Sequence, residues 1–151
     1  MTVLKSRVTI RSLLAKAYPN QFPTAAGSPV QIRVDDYCSS KDSYPGFCHI
    51  HLKVPDVSSS GFVLTLSNAP STEAVKTVAA KLGGIWESTR TGERLILELS
   101  ASNADELLLL AAAIKDVVAP GQHYEDRNWK WIARRTERSL VRLAKVFAKA
   151  T

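Results

Sequence analysis

Two histidines two positions apart, His49 and His51 in "GFCHIHLKVP" (residues 46–55), form the pattern in this chain closest to metal chemistry. Alternate side chains of a β-strand share a face, so the two imidazoles would stand side by side, near enough to chelate one ion. Imidazole suits zinc, copper, iron or nickel, but a working site also needs a third ligand. Asp35 and His123 have the right chemistry. The alternation along the strand argues against a metal. Cys48, Ile50, Leu52 and Val54 fall on one face, and Phe47, His49, His51 and Lys53 on the other. A sheet with one buried and one solvated side produces that pattern, and histidines suit the solvated side. The sequence therefore predicts no bound metal and no catalytic residue at this strand.

A His-hydrophobic-His strand resembles the metal-binding strand of HUH endonucleases, which nick single-stranded DNA with a tyrosine nucleophile. The resemblance rests on His49, Ile50 and His51. It implies Asp35 or His123 as a further ligand and Tyr124 as nucleophile. Tyr124 departs from that pattern, because it falls in the polar stretch "GQHYEDRN" and not on a helix. No GxGxxG, phosphate-binding glycine loop, GxSxG or HExxH motif is present. Glu73, Glu87, Glu93 and Glu98 read as solvated helix and hairpin residues, and Asp35-Asp36 as a turn cap. No cofactor is expected.

The second chemical feature is cationic. Wound at about 100° per residue, the C-terminal segment sorts into two sides. Trp129, Ile132, Ala133, Leu140, Leu143, Ala144, Phe147 and Ala150 fall on one. Arg127, Arg134, Arg138, Arg142, Lys145 and Lys149 fall on the other, with Arg135 at its margin and Trp131 in its middle. Glu137 is the only acid from residue 127 onwards. A helix stabilised by its own ion pairs would intersperse glutamates, so this face points to an anionic partner. Phosphate backbones fit first, with arginine as multidentate donor and tryptophan available to stack on a base. The nucleic-acid-binding residues predicted are Arg127, Trp131, Arg134, Arg135, Arg138, Arg142, Lys145 and Lys149. An acidic protein partner, a second copy of the chain and an anionic membrane surface are the alternatives. No helix-turn-helix, zinc-finger or RRM signature selects DNA or RNA.

These residues must be positioned by the rest of the chain. "TIRSLLAKAYP" carries Ile10, Leu13, Leu14 and Ala17 at helical spacing and stops at Pro19. Strands are predicted at 30–35, 47–54, 61–66, 85–89 and 94–99. A helix with Val75, Val78, Ala79 and Leu82 inward ends on Gly83-Gly84. "NADELLLLAAAIKDVVAP" gives a helix over 103–118, opened by a capping box of Ser102 and Asp105. It is apolar nearly all round, so it is expected to be the most buried helix.

The order α-β-β-β-α-β-β-α, followed by the basic amphipathic helix, predicts an α+β fold. A mostly antiparallel five-stranded sheet should carry the helices on one face. This order resembles that of the type III secretion chaperone-like fold over roughly residues 9 to 118, which implies a protein-binding adaptor. Such chaperones are usually acidic, and the basic tail departs from them.

The totals agree with one ordinary globular unit. The chain has 151 residues, 45% hydrophobic and 23% charged, enough for a single core. We divide it into 1–126, an α+β domain with a basic N-terminal helix, and 127–151, the basic terminal helix. The net charge of +6 is unevenly spread. Residues 1–34 hold Lys5, Arg7, Arg11, Lys16 and Arg33 and no acid. Residues 35–126 hold seven basic and thirteen acidic side chains. Eight cations follow from 127 onwards. Cys38 and Cys48 lack zinc spacing and read as small hydrophobes of a reducing compartment. The longest apolar run, Leu107 to Ile114, is too short to span a bilayer, and the N-terminus has no signal-peptide core. A cytoplasmic location is the default expectation.

Overall fold

The computed structural model describes residues 10–19, 30–34, 48–55, 61–90, 92–115 and 126–149, excepting the side chains of Val30 and of residues 126–132. Hydrophobic alternation builds the sheet. β1 (Val30–Arg33), β2 (His49–Val54) and β3 (Gly61–Ser67) pair antiparallel in chain order. α2 (Glu73–Lys81) then carries the chain to the outer strand β4 (Ile85–Ser88), and β5 (Glu93–Ser100) returns between β4 and β3. The order is β1-β2-β3-β5-β4, and every neighbouring pair is antiparallel. All five strands coincide with the predicted segments to within a residue or two at each end.

Register aligns apolar side chains in rows. Ile32 lies opposite Leu52, Leu52 opposite Leu64, and Leu64 opposite Leu97. Ile50, Leu66, Leu95 and Trp86 make the next row. A slip of one residue would turn these side chains out to water, so burial itself fixes the register. The other side of the sheet carries the row Arg33, His51, Thr65, Ile96 and Ile85.

Among the described residues, every helix packs on the first side. Ile10 and Leu14 of α1 (Ile10–Ala17) share one core with Val75 and Ala79 of α2. The same core takes Leu107, Leu110, Ala111 and Ile114 of α3 (Ala104–Lys115), and Ala133, Leu140, Leu143, Ala144 and Phe147 of α4 (Asp126–Ala148). The fold is thus α+β, with a helical layer on one face of an antiparallel sheet. The terminal helix is part of that layer, and its apolar side completes the core of the preceding elements.

Two local expectations change. The capping box before α3 is formed by Ser100 and Asn103, not by Ser102 and Asp105. Ser100 is still extended, at φ −134 and ψ 175, as an N-cap must be, and its backbone N–H donates to Asn103 Oδ1 at 2.9 Å. Ser102 already lies within the 3-10 turn Ala101–Asn103. The second change concerns α3 itself, which is not buried all round. Its inner positions are covered, but Leu108 and Leu109 are 43% and 56% exposed.

The end of α2 follows the sequence closely. Gly83 sits at φ +70, and Gly83 and Gly84 donate to the carbonyls of Ala80 and Ala79. A left-handed residue after the last turn allows those bonds, and glycine adopts it without a Cβ penalty.

Candidate functional site

Seven of the eight predicted phosphate-binding residues lie on α4, with Lys149 one residue past its end at Ala148, and the structure separates the eight into four groups. Arg134, Arg138, Lys145 and Lys149 are exposed on the side turned away from the core. Arg135 is half-buried at the margin, as its helical phase implies. Arg127 and Trp131 belong to the first turns of the helix, where side chains lie outside the described residues.

Arg142 stands apart. Its Nη2 donates to the carbonyl oxygen of Ala17 at 2.8 Å, and its guanidinium carbon lies 4.5 Å from the ring centre of Tyr18. Ala17 is the last residue of α1, so the cation meets a helix C-terminus, where unpaired carbonyls and the helix dipole favour positive charge. Tyr18 is 2% exposed and supplies an aromatic face. Arg142 thereby ties α1 to α4. The sequence assigned it to the ligand face by phase alone, and no local signal revealed its contact 125 residues away.

α1 adds to the charge pattern unevenly. Lys16 is exposed one residue before Ala17, whose carbonyl Arg142 meets. Arg11 is buried, at 9% exposure, and presents no surface charge.

The inner side of α4 explains how the basic side is held. Leu140, Leu143 and Phe147 are 0% exposed, and the Phe147 ring lies 4.5 Å from that of Phe62 on β3. Thr136 and Ser139 are buried too, at 3% and 0%, and the apolar stripe read from the sequence omits both. Their small size suits a helix lying close against its neighbours. Helical phase carries the signal for them, since each falls within the arc spanned by Leu140, Leu143 and Val146.

His49 and His51 are half-buried on the sheet side that bears no helix among the described residues. His49 lies opposite Ser67, and His51 between Arg33 and Thr65. Asp35, His123 and Tyr124 lie outside the described residues, as does Cys38. Cys48 is buried in the core. Among the described residues no three His, Cys, Asp or Glu side chains come together as a metal site.

Elsewhere on that side of the sheet, Arg94 and Glu87 form an ion pair, with Nε donating to Oε1 at 3.0 Å. Glu87 is a solvated hairpin acid with a partner. No helix among the described residues is long and apolar enough to cross a membrane. No family profile matches the chain, and neither a curated protein nor a solved structure shows significant similarity to it.

Proposed function

We propose that this protein is a non-catalytic nucleic-acid-binding module that holds a phosphate backbone on the outer face of α4. One observation carries the reading. Arg134, Arg138 and Lys145 are exposed along about 16 Å of a single helix, with exposed Lys149 just past its end, and Glu137 is the only acid after residue 126. Such an array repels itself unless anions neutralise it, and releasing the counterions of a phosphate chain supplies the driving force.

Anchoring strengthens the case. The opposite side of α4 is inside the protein's own core, so the cations are presented on a fixed backbone and binding need not order the helix. The same burial speaks against a membrane-surface helix, which needs its apolar side for the bilayer.

Binding to single- and double-stranded oligonucleotides, followed by fluorescence anisotropy, tests the reading. Wild type should bind, and Arg134→Gln/Arg138→Gln/Lys145→Gln should lose most of its affinity with an unchanged melt. The lysine-preserving variant Arg134→Lys/Arg138→Lys should keep most of it. Equal affinity of wild type and the glutamine variant would defeat the proposal. A protein-binding adaptor is the second reading, and the exposed leucines of α3 favour it.

A further inference from the structure

α3 turns Leu107, Leu110, Ala111 and Ile114 inward and leaves Leu108, Leu109 and Ala112 on the outside. Single exposed leucines are ordinary, but these three form one apolar strip on a helix that already buries its other side. α4 lies alongside. Phe147, near its end, touches Phe62, which is paired with Leu99 just before the turn into α3. The end of α4 thus flanks the start of α3, and the two helices pack side by side in opposite directions. On α4, half-buried Val141 falls by helical phase between half-buried Glu137 and the exposed Arg134, Arg138 and Lys145.

We infer that this seam is a docking site for an amphipathic helix of a protein partner. Its apolar side chains rest on Leu108, Leu109 and Ala112, and its carboxylates meet Arg134, Arg138 and Lys145. Charge decides the occupant. Docking α3 antiparallel on α3 of a second copy would set each α4 opposite the other, cation against cation. A nucleic acid would neutralise the arginines and leave the leucines in water. An apolar stripe edged with acids satisfies both halves of the surface, the helix-in-groove mode of recognition. The inference does not rest on the nucleic-acid reading. Because both ligands use Arg134, Arg138 and Lys145, they compete, and an acidic partner displaces phosphate from α4.

The probe is a synthetic helical peptide of about 18 residues with leucines at i, i+3, i+4 and i+7 spacing and glutamates along both edges. Its counterpart carries lysines in place of the glutamates. Anisotropy should show saturable binding of the glutamate peptide to the full chain, at least about tenfold tighter than the lysine peptide. Leu108→Ser/Leu109→Ser should weaken it by about tenfold or more while leaving oligonucleotide affinity and the melt unchanged. Arg134→Glu/Arg138→Glu/Lys145→Glu should reverse the preference towards the lysine peptide.

No saturable binding, no discrimination between the peptides, or indifference to the leucine substitutions would each overturn the inference. Sedimentation showing a wild-type dimer that Leu108→Ser/Leu109→Ser dissociates would hand the face to a second copy and overturn it as well. Anionic vesicles bound through the same leucines in preference to the peptide would do likewise. The nucleic-acid reading fails separately, through arginine variants that keep their oligonucleotide affinity.

Discussion

Arg142 shows how a residue's chemistry and its place part company. By phase it belongs with the ligand-facing cations, yet its hydrogen bond to Ala17 and its position over Tyr18 give it work inside the fold. Arg142→Ala removes a charge-assisted hydrogen bond and a cation–π contact at a solvent-accessible position, together worth about 1 kcal/mol. In a thermal melt that should appear as a loss of about 2–4 °C. Arg138→Ala, by contrast, should melt with wild type. If both variants melt with wild type, Arg142 is free to serve the ligand face after all.

The histidines illustrate the converse case, where proximity falls short of a site. His51 stands between the cation Arg33 and the hydroxyl of Thr65, and a nearby guanidinium disfavours a divalent ion. Purified protein should carry no stoichiometric transition metal. Elemental analysis returning one metal per chain, lost in His49→Ala, would contradict this and favour the endonuclease-like chemistry.

Among the elements, strands and helices were legible because each repeats its hydrophobic period often enough. β2 alternates over its whole length, and α4 sorts its charges over more than six turns. Boundaries depended on less. Ser100 and Ser102 are each followed three residues later by a side chain able to complete a capping box, Asn103 or Asp105. Sequence cannot choose between them, because the choice depends on where β5 stops being extended. Ser100→Ala should therefore cost about 1 kcal/mol, and Ser102→Ala clearly less. Chemical denaturation of both variants checks the assignment, which fails if Ser102→Ala proves the more damaging.

α3 was misread for a related reason. A helix with leucines at four successive positions has no readable inner side, and only its neighbours determine that Leu108 and Leu109 face out. Glycine at 83 was legible because backbone conformation selects it directly. Gly83→Ala forces a Cβ into the left-handed region at φ +70, where nothing else crowds it, so the cost should be the bare conformational penalty of about 1–2 kcal/mol. A denaturation midpoint equal to wild type would show that the turn rearranges.

For the whole molecule, the distribution of charge matters more than its sum. α1 and α4, far apart in sequence, pack side by side, and Arg142 secures that contact. Lys16 of α1 is exposed, whereas the burial of Arg11 removes one surface charge that composition alone would have counted. Composition could not reveal this. Joining these two helices requires the three-dimensional order of the helical layer, and that order follows from the sheet. The salt dependence of binding is the most direct measure of whether the outer face of α4 neutralises phosphates. The logarithm of the association constant should fall linearly with the logarithm of salt concentration. In Arg134→Gln/Arg138→Gln/Lys145→Gln the slope should flatten by about 0.7 to 0.9 for each phosphate contact removed. A slope identical in wild type and variant, or no binding by wild type at physiological salt, would contradict the claim.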